Sequence, residues 1–490
     1  MKYYKRIGFP KNIPRNGLLN LKMTKENIKS PPRRKSENKL NMCEGAIFPL
    51  LLRFAFPVLI TGVLQVLFNA ADIMVVGQFG SEHSLAAVSS TGSITGLIVN
   101  LFMGLSAATT VLCARFFGAN DEKALSETVH TSMFTSVIIG AFLTVFGLIF
   151  SEPLLRLMSV PEEVLPLAAL YMRIYFAGMI PSLVYNFSAS ILRAVGDTKR
   201  PMYFLTLAGV LNVLLNLLFV IVLNMDVAGV ALATIASQTL SAVLTVICLM
   251  RESGGIRLSI SRMKICGKRL RQIIAIGIPS GLHSTMFSIA NVVIQSSINA
   301  FGPIAMAGNG ASSSIESLIF TSLGSVSQAI VAFTSQNFGR YNYKRIVKAH
   351  LLGQAIMFTF GLLLCVFAVI FAEPLISLYA DSAEEIAAGV AKLQMIGVFI
   401  FIYAGSDIAV ATMRGMGCSL VPTVTAVICV CGIRLLWIAT VFQIPQYHTL
   451  HGLYFAYPLS YVLSFVVQVA SMIIMYKLIK KKYPGTAQMS

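Results

Sequence analysis

Four polar side chains stand in a row along one helix-length segment of an otherwise apolar stretch. Thr61, Gln65, Asn69 and Asp72 are spaced i, i+4, i+8 and i+11, so a helix puts them on one face while Leu64, Val66, Leu67 and Ala71 fill the others. Asp72 follows Arg53 by 19 residues, about 28 Å along a helix at ~1.5 Å per residue. A carboxylate at that depth is penalised by desolvation whenever it is ionised, which suits a group that takes up and releases a proton. The other reading is an Asp that only cross-links helices through hydrogen bonds.

Further polar positions recur along the chain. Asn186 lies in one apolar run, Asn212 and Asn216 stand one helical turn apart in the next, and Thr234, Gln238, Ser241 and Thr245 line one face of the run after that. Amides can solvate a carboxylate that changes charge and re-pair afterwards, but polar side chains also bind membrane helices to one another. A second stripe comprises Ser284, Ser288, Asn291 and Gln295, and Glu316 falls among Ser312, Ser313, Ser314 and Ser317. Asp72, Glu316 and Asp407 are the candidates for ion coupling, with Glu316 expected in the same water-filled cleft as the amides. Gln65, Asn69, Asn186, Asn212, Asn216, Thr234, Ser288, Asn291 and Gln295 are the candidates for contact with substrate. Arg173, Lys392 and Arg434 stand in apolar runs, where they either neutralise the carboxylates or attract an anionic substrate.

Other chemistry finds little support. His448 and His451 are three apart without further ligands, so no metal site is expected. The chain has no H-E-x-x-H, no G-x-S-x-G and no phosphate-binding glycine loop, which argues against a hydrolase or an ATP-driven pump and for a transporter without an organic cofactor. Energy for uphill transport is then expected to come from an ion gradient.

The elements that position these residues are transmembrane helices. Hydrophobic residues make up 56% of the chain and charged residues 12%, the mean hydropathy is +0.76, and apolar runs long enough to cross a ~30 Å hydrocarbon core recur throughout. Twelve spans are predicted, at 48–76, 85–113, 126–150, 165–192, 201–224, 228–250, 270–299, 304–334, 346–371, 386–413, 422–443 and 453–476. The chain also repeats itself at an offset of 221 or 222 residues. Pro57 falls on Pro279, Asn69 on Asn291, Phe117-Gly118 on Phe338-Gly339, Gly196 on Gly417 and Pro201 on Pro422, while Asp72 falls on Ile294. The expected fold is therefore an all-α membrane protein of twelve transmembrane helices in two pseudo-symmetric six-helix lobes, parallel because six is even. The expected divisions are a basic, disordered tail (1–46), an N-lobe (47–250), a linker (251–271), a C-lobe (272–477) and a C-terminal tail (478–490).

Basic residues set the expected orientation. Of 38 Lys and Arg, 12 precede the first span, 21 lie in one set of loops and the C-terminus, and Arg156 alone lies in the opposite set. By the positive-inside rule both termini face the cytoplasm. The net charge of +18 is largely this bias and calls for no nucleic acid. A monomer in the cell membrane, handling a small organic substrate among lipids, is expected.

The sequence resembles a known family. Phe56 to Gly80, followed by Leu85-Ala86-Ala87-Val88, is similar to the first span of the multidrug and toxic compound extrusion (MATE) family, in its DinF-like prokaryotic branch. Arg193-Ala194-Val195-Gly196-Asp197-Thr198-Lys199, Asn212 with Asn216, Gly229 to Thr234, and Gln336-Asn337-Phe338-Gly339 extend the likeness over residues 45–480. The resemblance implies an exporter that opens alternately to either side and exchanges an organic cation for protons or sodium, with Asp72 as the family's acidic residue in the first helix. Asn216 stands where some members carry Asp, and Phe287 where another branch carries a cation-binding Glu, which favours H+ over Na+. A flippase for lipid-linked sugars or another anionic lipid, from the same wider superfamily, is the alternative.

Overall fold

The computed structural model of the chain describes residues 39–81, 83–158, 160–380 and 382–483. Eleven helices among them are long and apolar enough to cross a membrane, and one bent pair makes twelve. These are α1 (Ile47–Phe79), α2 (Ser84–Gly118), α3 (Glu122–Leu157), α4 (Leu165–Ala177 with Met179–Ala194), α5 (Lys199–Val222) and α6 (Asp226–Met250) in the N-lobe. The C-lobe holds α7 (Gly267–Asn299), α8 (Pro303–Gly339), α9 (Tyr343–Ile370), α10 (Ala383–Gly415), α11 (Leu420–Gln443) and α12 (Leu450–Lys482). The span predicted as one piece at 165–192 bends by 47°. Pro181 has no N–H to donate to the Ala177 carbonyl one turn back, so the helix breaks at Gly178.

The repeat has a structural meaning at the end of the molecule where the basic residues gather. Gly118 packs directly on the backbone of Gln336, and its counterpart Gly339 packs on the backbone of Arg115, the counterpart of Gln336. Such reciprocal contact is what a two-fold axis between the lobes produces. Neither glycine has room for a Cβ. Gly196 and Gly417, another repeated pair, both take the left-handed backbone, with φ of +86° and +87°, which side chains disfavour.

Further into the membrane α2 crosses α7 where Gly104, Gly277 and Gly281 meet backbone to backbone, the close approach that small residues allow between membrane helices. At the basic end side chains complete the closure. Arg193 Nη1 donates to Gln328 Oε1 at 2.9 Å, Gln336 Nε2 to the Ala194 carbonyl at 2.9 Å, and Arg340 Nε to the Gly118 carbonyl at 2.8 Å.

Residues 39–46, expected to belong to a disordered tail, instead pack between the lobes. Lys39 pairs with Glu252 at 2.6 Å, and Met42 is fully buried with its N–H on Gln336 Oε1 and its carbonyl accepting from Asn337 and Arg345. Glu44 meets Arg340 at 3.0 Å. Buried backbone with such partners is ordered. The rest of the expected tail, 1–38, lies outside the described residues.

Candidate functional site

Asp72 is held by the N-lobe alone. Asn216 Nδ2 donates to its Oδ1 at 2.5 Å, and Asn212 and Thr234 hydrogen-bond the same carboxylate. Asn212 and Asn216 are 5% and 0% exposed, so α5 presents both amides inward. The helix can do this because Gly209 leaves no gap beneath the Phe68 ring of α1. Directly after Asn216 the α-helix gives way to a π-helical stretch, Leu217–Val222, a feature frequent at functional positions. Asn216 Oδ1 has no hydrogen-bond partner among the described residues.

The chemistry follows from that unused oxygen. An ionised Asp72 accepts from the Nδ2 of Asn216; a protonated Asp72 gains an O–H donor, and an acceptor on the same amide stands ready for it. The cluster thus has hydrogen bonds for both states of the acid, which lowers the barrier to changing between them. Ile294, the counterpart in α7, is 1% exposed and packs in the apolar core.

The stripe on α1 is divided between two environments. Thr61 and Gln65 line a cavity of about 410 Å³ between the lobes, together with Asn186, Arg193, Asp407 and Arg414, whereas Asp72 turns to α5 and α6. Asn69 is exposed and lines neither this cavity nor the one described next.

The C-lobe has its own cavity, of about 600 Å³, to which Asn291, Gln295, Glu316, Lys392 and Asp407 contribute. Glu316, expected to line a cleft with the amides, lies on this cavity beside Asn291 and Gln295; it pairs with Lys392 at 3.1 Å and accepts from Ser312 at 3.0 Å, both charged groups being almost buried. Ion pairing of this kind is what lets two charges occupy an apolar lobe. Asp407 accepts from Ser327 at 3.2 Å and interacts with Arg414. Gln295 accepts from Asn309 Nδ2 at 2.6 Å, and Ser288 bonds the Ser284 carbonyl of its own helix.

The three basic residues fare differently. Arg173 is not buried: it pairs with Glu152 at 3.1 Å, and both side chains are at least 40% exposed. Its place in the apolar run misled because it stands near the end of α4. Lys392 is paired as above. Arg434, fully buried, has no carboxylate within 4 Å among the described residues; it bonds Ser460 Oγ at 3.0 Å and Asn291 Oδ1 at 3.2 Å. Phe287, Tyr457 and Tyr461 surround its guanidinium at 4.2 to 5.5 Å.

Sequence reasoning missed Arg414, His283 and this aromatic cage. Tyr457 and Tyr461, four apart on α12, were the available signal for the cage; nothing in the sequence joins them to Arg434, since the helices meet only in the fold.

Comparison with known proteins completes the description. The MatE family profile matches residues 57–218 and 279–439, two copies that begin 222 positions apart and fall one in each lobe. The chain is 26% identical over 426 residues to the probable multidrug resistance protein YoeA of Bacillus subtilis, covering 84% of this chain and 91% of that one. It is 28% identical over 356 residues to a FAD transporter of Shewanella oneidensis, covering 71% and 78%. Its fold matches a multidrug resistance MATE family transporter solved in an outward-facing conformation, with a TM-score of 0.83 and 24% identity, over 90% of this chain and 98% of that one.

Proposed function

The chain belongs to the MatE family, and from that premise we propose that it exports drug-like organic compounds by exchange for protons across the cell membrane, with both termini in the cytoplasm. The observation that carries the proton is the Asp72 cluster: one carboxylate, no cation within salt-bridge distance among the described residues, and an amide partner able to serve either protonation state. Bound to Asn216, Asn212 and Thr234, Asp72 sits deep in α1, and a proton taken up there alters the hydrogen bonds that tie α1 to α5 and α6.

Alternating access supplies the rest. The lobes are closed at the basic end by the contacts of Gly118, Gly339 and residues 39–46, the cytoplasmic end in the proposed orientation. Protonation of Asp72 rearranges the N-lobe and loosens this closure; release of the proton to the cytoplasm resets it. Sodium is the weaker reading, because Phe287 rather than an acid stands in α7.

The relatives' names support export of organic molecules but divide over cargo, multidrug resistance for one and FAD transport for another. An organic cation, which the family resemblance implies, needs an anionic counterpart, and the N-lobe's one deep carboxylate is committed to the proton. The test is dye efflux from cells carrying the chain, with proton and sodium gradients collapsed separately. Loss of efflux on collapse of the proton gradient alone is expected; loss only with sodium removed would transfer the coupling role to the C-lobe carboxylates.

A further inference from the structure

Charges in the C-lobe do not balance. Among the described residues Lys392 pairs with Glu316 and Arg414 lies in the field of Asp407, which leaves the guanidinium of Arg434, the largest fully buried side chain, without an acid within 4 Å. A buried, uncompensated charge is among the most costly features a membrane interior can hold. Arginine does not escape it by giving up its proton. The aromatic faces and the Asn291 dipole offset part of the cost, yet Nη2 has no hydrogen-bond partner among the described residues.

What screens this charge also lines the cavity. Phe287, Asn291, Tyr457 and Tyr461 stand between Arg434 and the 600 Å³ space, a volume within the ordinary range for small-molecule sites. Asn291 turns its oxygen to Arg434, so its Nδ2 donors are left for a ligand. Among the described residues, the unpartnered buried atoms around the cavity include two donors, the Nε and Nη2 of Arg414, and one acceptor, Asn309 Oδ1, while His283 Nδ1 serves as either according to its tautomer. The cavity offers donors and aromatic walls; its lining acids, Glu316 and Asp407, are offset by Lys392 and Arg414, so the excess positive charge is that of Arg434 behind the wall.

We propose that the C-lobe cavity binds an oxyanion, a carboxylate or phosphate carried on a flat aromatic body, with Arg434 as its counter-charge. Its meaning as a cargo site rests on the export reading. An anion drawn into the cavity completes the charge balance of the C-lobe, while the N-lobe manages the proton. Arg434 then acts as a specificity determinant: it favours anions and repels the organic cations that the family resemblance implies.

The test reads binding without transport. The purified full chain in neutral detergent is titrated into fluorescein, an aromatic carboxylate, and into ethidium, a cation of similar size, with fluorescence anisotropy as the readout. Fluorescein should bind, more weakly as salt rises, and Arg434→Gln should weaken it about tenfold or more while Arg434→Lys stays within a few-fold. Should Arg434→Gln fail to fold, Asn291→Ala on the cavity wall is expected to weaken fluorescein in the same direction. Competition by phosphatidylglycerol micelles would identify a lipid head group as the oxyanion's source; its absence would leave a soluble anion. No fluorescein binding, fluorescein binding that Arg434→Gln leaves unchanged, or ethidium bound by the wild-type chain as tightly as fluorescein overturns the proposal. Proton-driven dye export persisting beside that result would leave the export reading intact, and anion binding without any gradient-driven flux would sink the export reading instead.

Discussion

The two lobes share a backbone plan and handle buried charge in opposite ways. In the N-lobe a lone carboxylate, Asp72, is met only by neutral groups, Asn212, Asn216 and Thr234. In the C-lobe two carboxylates are each matched by a cation, and a third cation is held in an aromatic cage. A charge met by neutral partners can be removed by a proton at modest cost; a charge locked in an ion pair cannot, because its partner would be stranded. Pseudo-symmetry in the backbone thus coexists with a division of labour in the side chains, a variable charge on one side and fixed charges on the other.

The largest effect expected from breaking this contrast is on folding. Lys392→Met strands Glu316 in the C-lobe and should cost about 3–5 kcal/mol, seen as a sharp fall in monodisperse protein on size exclusion, and Glu316→Gln added to it should restore most of the yield. A smaller effect is expected at Asn216→Ala, which removes one hydrogen bond to a carboxylate, worth about 1.5–3 kcal/mol. Folded protein should persist, and gradient-driven efflux should fall by roughly 10- to 100-fold as the proton equilibrium of Asp72 is disturbed.

The smallest expected effect lies outside the membrane, where the strap of residues 39–46 meets the N-lobe. Burial opposes ionisation of Glu252, but hydrogen bonds from Lys39 and Arg200 outweigh it and hold the carboxyl below its usual range. Its charge therefore stabilises the fold above the ordinary carboxylate value of about 4.3, and that contribution is lost as pH falls through the lower folded value. Glu252→Gln should lower the melting temperature by only about 1 °C at neutral pH, and the difference from the wild-type chain should shrink as pH falls through the lowered folded value and vanish below it. A difference that grows on acidification would place the stabilising charge elsewhere.

Legibility in the sequence followed the kind of information each feature needs. The spans, the repeat and the two lobes were readable, because hydropathy and spacing are local and the repeated glycines mark the lobe contact that both halves share. The bend at Gly178 needed the joint effect of Gly178 and Pro181. Asp72 and its candidate partners Asn212, Asn216 and Thr234 could each be named from helical faces, but not that α1 divides its stripe, with Thr61 and Gln65 facing the other lobe and Asp72 facing its own. Position along a helix also misjudged Arg173, since an apolar run does not say where its exposed end begins. Arg434 was visible as a buried charge; its cage was not, because three helices build it. Residues 39–46 read as disordered for want of an apolar stretch, because the Met42 backbone contacts with Gln336, Asn337 and Arg345 that order them come from sequence-distant partners.

The claim that Asp72 alone carries the coupling proton is tested most directly by counting protons in vesicles. Wild-type chain and Asp72→Asn are reconstituted into liposomes with a pH-sensitive dye inside, and proton movement is recorded when a transported dye is driven across by an imposed pH gradient. Asn keeps the size and hydrogen bonding of the protonated acid, so the variant should insert normally and bind dye. The account predicts proton movement coupled to dye flux in the wild-type chain and none in Asp72→Asn. Coupled proton movement of equal size in Asp72→Asn would contradict it and move the coupling site to Glu316 or Asp407 in the other lobe.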